Sequence, residues 1–80
     1  MKKMLFVMNP YSGTRRANKY LVDIIDLFNR ANYEVMVHMT QGQGDATKVV
    51  AAKAHEMDLI VCCGGDGTLN ETIAGLLDAG

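Results

Sequence analysis

The chain opens on an unbroken apolar run, residues 4–8, closed by Asn9-Pro10. A run with no polar alternation suits a strand buried on both faces. From residue 14 to about residue 29 the apolar positions fall at Ala17, Leu21, Ile24, Ile25 and Phe28, the spacing of one helix face. Residues 33–40 alternate instead. Tyr33, Val35, Val37 and Met39 point one way and Glu34, Met36, His38 and Thr40 the other, which predicts a strand with one less buried face, at a sheet edge. Gln41-Gly42-Gln43-Gly44 reads as a loop. Asp45 is then placed to N-cap a helix to about Met57, with Ala46, Val49, Val50, Ala54 and Met57 inward. Leu59–Cys63 is a third strand, again wholly apolar. Gly64-Gly65-Asp66-Gly67 is a tight turn, and Thr68-Leu69-Asn70-Glu71 has the form of a capping box, so a third helix is expected to start there. It carries Leu69, Ile73, Leu76 and Leu77 on one face and reaches Gly80 as its C-cap.

The order is β-α-β-α-β-α. Helical crossovers between buried strands imply a parallel α/β sheet, and both crossovers should be right-handed. The more polar second strand belongs at an edge and the two apolar strands side by side. The expected architecture is a three-layer, Rossmann-like half-domain with strand order 2-1-3 and the first two helices on opposite faces. The chain reverses direction between the first and third strands, and ligands bind at such a switch point, outside the carboxyl ends of the strands. The loops at residues 9–13 and 64–68 lie there, and they are the two most unusual stretches of the sequence.

Composition narrows the class. Eighty residues allow one small domain. Hydrophobic residues at 49% and charged residues at 21% exclude a disordered tail. A net charge of −1 argues against a basic nucleic-acid module. No apolar run approaches the roughly 20 residues of a membrane span, and the signal-like start at Met1-Lys2-Lys3 stops at Asn9-Pro10. A cytoplasmic location is expected. Cys62 and Cys63 are adjacent and form no disulfide framework or zinc spacing. The apolar content is high for so small a body, which points to membership of a longer chain.

The candidate chemistry sits in the glycine-rich turns. Three glycines in residues 64–67 let the backbone bend sharply and approach a ligand where strand meets helix. The helix that follows offers free N–H groups and a positive dipole end, suited to phosphate. Asp66 would repel such an anion unless a divalent cation stands between them, and magnesium with a nucleotide phosphate is the natural choice. A purely structural Asp-Gly turn is the alternative, and for Glu71 capping is explanation enough. In the other loop Asn9 and Ser12 supply short polar groups, Pro10 stiffens, and Gly13 permits an unusual angle. Arg15 and Arg16 oppose the helix dipole, consistent with an anionic ligand or with a solvated surface pair. The stretch from Gly42 to Thr47 is an incomplete GxGxxG, better read as a loop before a helix, and no Walker-type P-loop is present. His38 and His55 have no partner pattern, and nothing resembles a Ser-His-Asp set.

Asn9-Pro10-Tyr11-Ser12-Gly13, Thr40, Gly44-Asp45-Ala46 and Gly64-Gly65-Asp66-Gly67-Thr68-Leu69-Asn70-Glu71 together strongly resemble the catalytic domain of diacylglycerol kinases, closest to the bacterial soluble lipid kinases. The family pattern is NPxSG after the first strand, a threonine closing the second, GDA opening the next helix and GGDGTxNE after the third. All four occur here in order. A GGDG turn alone is weak, because NAD kinases and phosphofructokinases carry similar ones.

The resemblance implies an ATP- and magnesium-dependent transfer of the γ-phosphoryl group to a lipid hydroxyl. It implies nucleotide contacts at Asn9, Pro10, Tyr11, Ser12, Gly13, Thr40, Gly64, Gly65, Asp66, Gly67, Thr68, Leu69 and Asn70, with Asp66 positioning Mg-ATP. It also implies that residues 1–80 are the amino-terminal part of an ATP-binding domain. The second, β-rich domain with the general base lies outside this chain, so the chain alone is expected to be inactive. The enzyme would work as a cytoplasmic protein peripheral to the membrane. The alternatives are a stand-alone nucleotide-binding or assembly module, and an NAD kinase-type phosphotransferase, against which NPxSG and Asn70-Glu71 argue. The third strand and third helix, with no further strand beside them, are expected to make the isolated chain self-associate.

Overall fold

The computed structural model describes residues 1–10 and 16–80. The elements are β1 (Lys2–Met8), α1 (Arg16–Arg30), β2 (Tyr33–Met39), α2 (Asp45–Lys53), β3 (Leu59–Cys63) and α3 (Asp66–Ala79), with one 3₁₀ turn (Ala54–Glu56) closing α2. The three strands are parallel and ordered β2-β1-β3, as the hydrophobic pattern predicts. Residues 11–15, which include Arg15 and the predicted start of the first helix, lie outside the described residues.

β1 is the centre because every residue from Met4 to Met8 is buried. Its alternating side chains feed two separate clusters. Met4, Phe6 and Met8 meet Leu21, Ile24 and Phe28 of α1, together with Tyr33, Val35 and Val37 of β2. Leu5 and Val7 meet Ala46, Val49 and Val50 of α2, together with Ile60 and Cys62 of β3. The first two helices thus cover opposite faces. β2 alternates half-buried and exposed residues over its first five positions, and it takes the edge that this pattern assigns to it. Phe28 and Tyr33 meet edge to face with centroids 5.7 Å apart, joining α1 to that edge.

Both ends of the sheet are pinned by hydrogen bonds from backbone N–H groups. At the amino ends Lys3 N–H donates to the Asp58 carboxylate at 2.7 Å, and Asp58 N–H returns to Lys3 C=O at 2.8 Å. At the carboxyl ends Asn9 N–H donates to Cys63 C=O at 3.0 Å and Thr40 N–H to Met8 C=O at 2.8 Å. The three chain exits are therefore fixed relative to one another.

Three local expectations are corrected. α3 begins at Asp66, not at Thr68, so the capping box is not formed. Gly65 is the N-cap, in extended backbone, and its C=O accepts the Thr68 and Leu69 N–H groups at 3.1 and 3.2 Å. Gly64-Gly65 completes the turn early, which leaves Gly67 helical and Asp66 in the first turn, where the helix dipole favours a carboxylate. Asp45 is likewise the first helical residue rather than the cap. That place belongs to Gly44, at φ 85 in the left-handed region where glycine costs least. The α2 helix also ends at Lys53, before the 3₁₀ turn.

The apolar face of α3 is exposed, as expected of a third helix with no further strand beside it, and the helix packs instead through small residues. Thr68, Thr72 and Gly75 are its buried residues, whereas Leu69, Ile73, Leu76 and Leu77 are exposed. The helix lies against α2, not flat on the sheet. A Cβ on Gly75 would sit 2.7 Å from Val50 Cβ and 2.8 Å from the Thr47 carbonyl oxygen. Only a residue without a side chain allows so close an approach. Thr47 Oγ1 spans the same contact, donating to Glu71 C=O at 2.8 Å.

Candidate functional site

The three chain exits at the carboxyl ends of the strands enclose a pocket of about 320 Å³. Asn9 comes from the exit of β1. Thr40, Gln41, Gly42 and Gln43 form a wall after β2. Gly67, Thr68 and Glu71 from the first turns of α3 complete it. The switch-point argument placed a ligand site at this end of the sheet.

Each wall has its own support. Thr40 is buried at 8% exposure. Beyond it, Asp45 Oδ2 accepts the Gln41 N–H at 2.8 Å and lies 3.0 Å from His38 Nε2. These two hydrogen bonds, that from His38 first, hold the Asp45 carboxyl below the usual aspartate range, against a smaller opposing effect of burial. On the α3 side Thr68 is buried at 7% exposure. A Cβ on Gly64 would lie 2.6 Å from Thr68 Oγ1, so the turn folds directly beneath that side chain and requires glycine. Thr72 Oγ1 donates to Thr68 C=O at 2.8 Å, back-bonding the turn above.

Of the residues singled out in the sequence, Asn9, Thr40, Gly67 and Thr68 line the pocket together. Gly64, Gly65, Asp66, Leu69 and Asn70 surround the start of α3 and are exposed, without lining it. Pro10 follows Asn9 and is half-buried. Tyr11, Ser12 and Gly13 lie outside the described residues. Sequence reasoning missed Gln41, Gly42, Gln43 and Glu71 as lining residues, and it treated His38 as partnerless. The available signal was spacing: His38 and Asp45 flank the loop that joins a strand to a helix, which brings the two ends within reach. His55, the other histidine, has its Nε2 2.6 Å from Ala79 C=O and ties the 3₁₀ turn to the end of α3.

Among the described residues no three His, Cys, Asp or Glu side chains gather to hold a metal ion by themselves. No helix among them is long and apolar enough to cross a membrane.

A doubly wound parallel sheet with its pocket at the strand carboxyl ends defines an α/β domain of the kind that receives ligands at a switch point. The chain belongs to the diacylglycerol kinase catalytic domain family, whose pattern matches residues 3–80. It is 42% identical over 77 residues to a diacylglycerol kinase of Bacillus subtilis, covering 95% of this chain and 25% of that protein. It is 35% identical over 78 residues to a diacylglycerol kinase of Staphylococcus aureus, covering 96% of this chain and 25% of that protein. A crystal structure of a diacylglycerol kinase from Bacillus anthracis superposes with a TM-score of 0.80 at 35% identity, over 92% of this chain and 27% of that one. The chain therefore spans about a quarter of the length of the relatives it matches.

Proposed function

We propose that this chain is the nucleotide-binding part of an ATP- and magnesium-dependent kinase that phosphorylates a lipid hydroxyl, diacylglycerol or a related lipid. The observation that carries the reading is the convergence of Asn9, Thr40, Gly67 and Thr68 on one pocket at the start of α3. Backbone N–H groups and the positive end of a helix favour phosphate oxygens there. By the resemblance, Tyr11, Ser12 and Gly13 would add to the same site. Family membership and relatives named diacylglycerol kinase support lipid as the acceptor.

The donor set fits magnesium only in company. Asp66 is one exposed carboxylate, and magnesium is commonly held by one or two carboxylates with substrate phosphates and water. Asp66 would hold the ion, and the ion would neutralise phosphate charge. The general base belongs, by the resemblance, to the β-rich domain outside this chain, so residues 1–80 alone bind nucleotide without turning over. The complete protein would work at the surface of a membrane, from the cytoplasmic side. The test is phosphate transfer from labelled ATP, with diacylglycerol and NAD offered separately to the complete protein. Labelled lipid supports the proposal, and labelled NAD with unlabelled lipid overturns it in favour of an NAD kinase-type enzyme.

A second reading of the isolated chain rests on its exposed apolar surface. Leu69, Ile73, Leu76 and Leu77 are wet, and among the described residues β3 pairs on one side only. Such an edge is a template for association, so the 80-residue chain is expected to self-associate through β3 or α3. Light scattering at micromolar concentration should give more than one chain's mass. A monomer with a sharp thermal transition would remove this reading.

A further inference from the structure

The wall of the pocket after β2 has no regular structure, and a polar clamp outside the pocket holds it. His38 pairs in register with Val7, whose side chain lies in the cluster covered by α2, so the imidazole leaves the sheet on the α2 side. Its Nε2 lies 3.0 Å from Asp45 Oδ2, and the same oxygen accepts the Gln41 N–H at 2.8 Å. Both side chains are largely covered, at 28% and 27% exposure. Asp45 N–H reaches Gly42 C=O at 3.2 Å, and Gln41 Nε2 returns to Met39 C=O at 3.1 Å. One carboxylate thus joins the strand, the loop and the helix. An aspartate in a first helical turn needs no histidine, since the helix end already favours it. Fixing both side chains costs rotamer freedom. The backbone of Gln41, Gly42 and Gln43 is what becomes fixed in return.

We infer that His38 and Asp45 are positioning residues that hold the Gln41-Gly42-Gln43 wall in the shape that receives the nucleotide, an inference resting on the nucleotide site proposed above. Neither side chain lines the pocket, so both act through the Gln41 amide. A preformed wall spares the ligand the ordering of a loop at the moment of binding. Loss of the clamp then weakens binding of nucleotide without touching the chemistry.

The experiment is equilibrium titration of the complete protein with Mg-ATP, beside steady-state kinetics, for wild type, His38→Ala, His38→Gln and Asp45→Ala. Both alanine variants are expected to weaken Mg-ATP about five- to tenfold, the scale of one ordinary net hydrogen bond. KM for ATP should rise by the same factor while kcat stays within about twofold. His38→Gln, whose amide can donate to the same carboxylate, should recover most of the loss. Unchanged affinity in the alanine variants, or a fall in kcat with KM held, overturns the inference alone. A wild-type protein that binds no Mg-ATP overturns the nucleotide reading as well, which separates the two failures. Where an alanine variant does not fold, amide exchange in the wild type decides: Gln41 N–H should be protected at neutral pH, and exchange at the rate of an unstructured peptide overturns the clamp.

Discussion

The wall after β2 and the wall that opens α3 line the same pocket by different means. The first is strung on hydrogen bonds: Gln41 N–H and His38 converge on the Asp45 carboxylate, and Thr40 N–H reaches Met8 C=O. The second is set by contact distance, with Gly64 beneath Thr68 and Gly75 against Val50 and Thr47. A hydrogen-bonded wall depends on the charge and donor state of its members and adjusts to modest changes of size. A packed wall ignores pH and does not accept one added methyl group. The pocket therefore joins an adjustable side to a stiff one, and the stiff side carries the carboxylate assigned to Mg-ATP.

Asp66→Ala should produce the largest effect. Asp66 is exposed, so its removal leaves the α3 packing intact and costs only the favourable interaction with the helix dipole, about 0.3–1 kcal/mol. Turnover by the complete protein should nevertheless fall by about 10²–10³, the scale of losing one preorganised stabiliser of transition-state charge. A variant that keeps most of its activity with an unchanged thermal midpoint would separate the stiff wall from the chemistry.

Gly75→Ala is next and turns on a sign. In an open helix interior this change stabilises by about 1 kcal/mol. Here the new Cβ meets Val50 Cβ and a backbone oxygen of α2 at 2.7 and 2.8 Å. The backbone cannot rotate aside, so the helices must separate, and a loss of roughly 1–3 kcal/mol is expected. Gly67→Ala, where nothing lies within 4 Å, is the control and should not destabilise. Denaturant midpoints for the two variants check this, and a stabilised Gly75→Ala would show that the wall yields.

The same contrast explains what could be read from the chain beforehand. The strand order was legible because residues 4–8 are apolar without interruption while residues 33–39 alternate, which fixes the centre and one edge. The location of the pocket followed from topology, and four of its lining residues from the motifs. The exposed apolar face of α3 was legible from a third helix with no further strand beside it; its packed face was not, because close helix contact selects small residues. Thr68, Thr72 and Gly75, at spacings of four and three, carried that signal without the hydrophobic weight to reveal it. The His38–Asp45 clamp was only half legible: spacing puts the pair at the two ends of one loop, but the contact depends on how tightly the eight residues 38–45 fold back, and composition does not encode a loop's curvature.

The smallest expected effect is the acid response of the hydrogen-bonded wall. The Asp45 carboxyl is held below the usual aspartate range, first by His38 and then by the Gln41 amide. Above that range the carboxylate is charged in both the folded and the unfolded chain, and its bonds contribute in full. As pH falls the unfolded chain takes up its proton first, so stability is lost progressively until pH has passed below the depressed folded value. Asp45→Asn cannot take up that proton. Wild type should therefore exceed Asp45→Asn in denaturant midpoint at neutral pH, and the gap should narrow as pH is lowered through the aspartate range. The Gly75→Ala deficit should stay constant over the same interval, since no titrating group is added or removed. A gap for Asp45→Asn that does not narrow would mean that both walls are held by packing, and the contrast between them would fail.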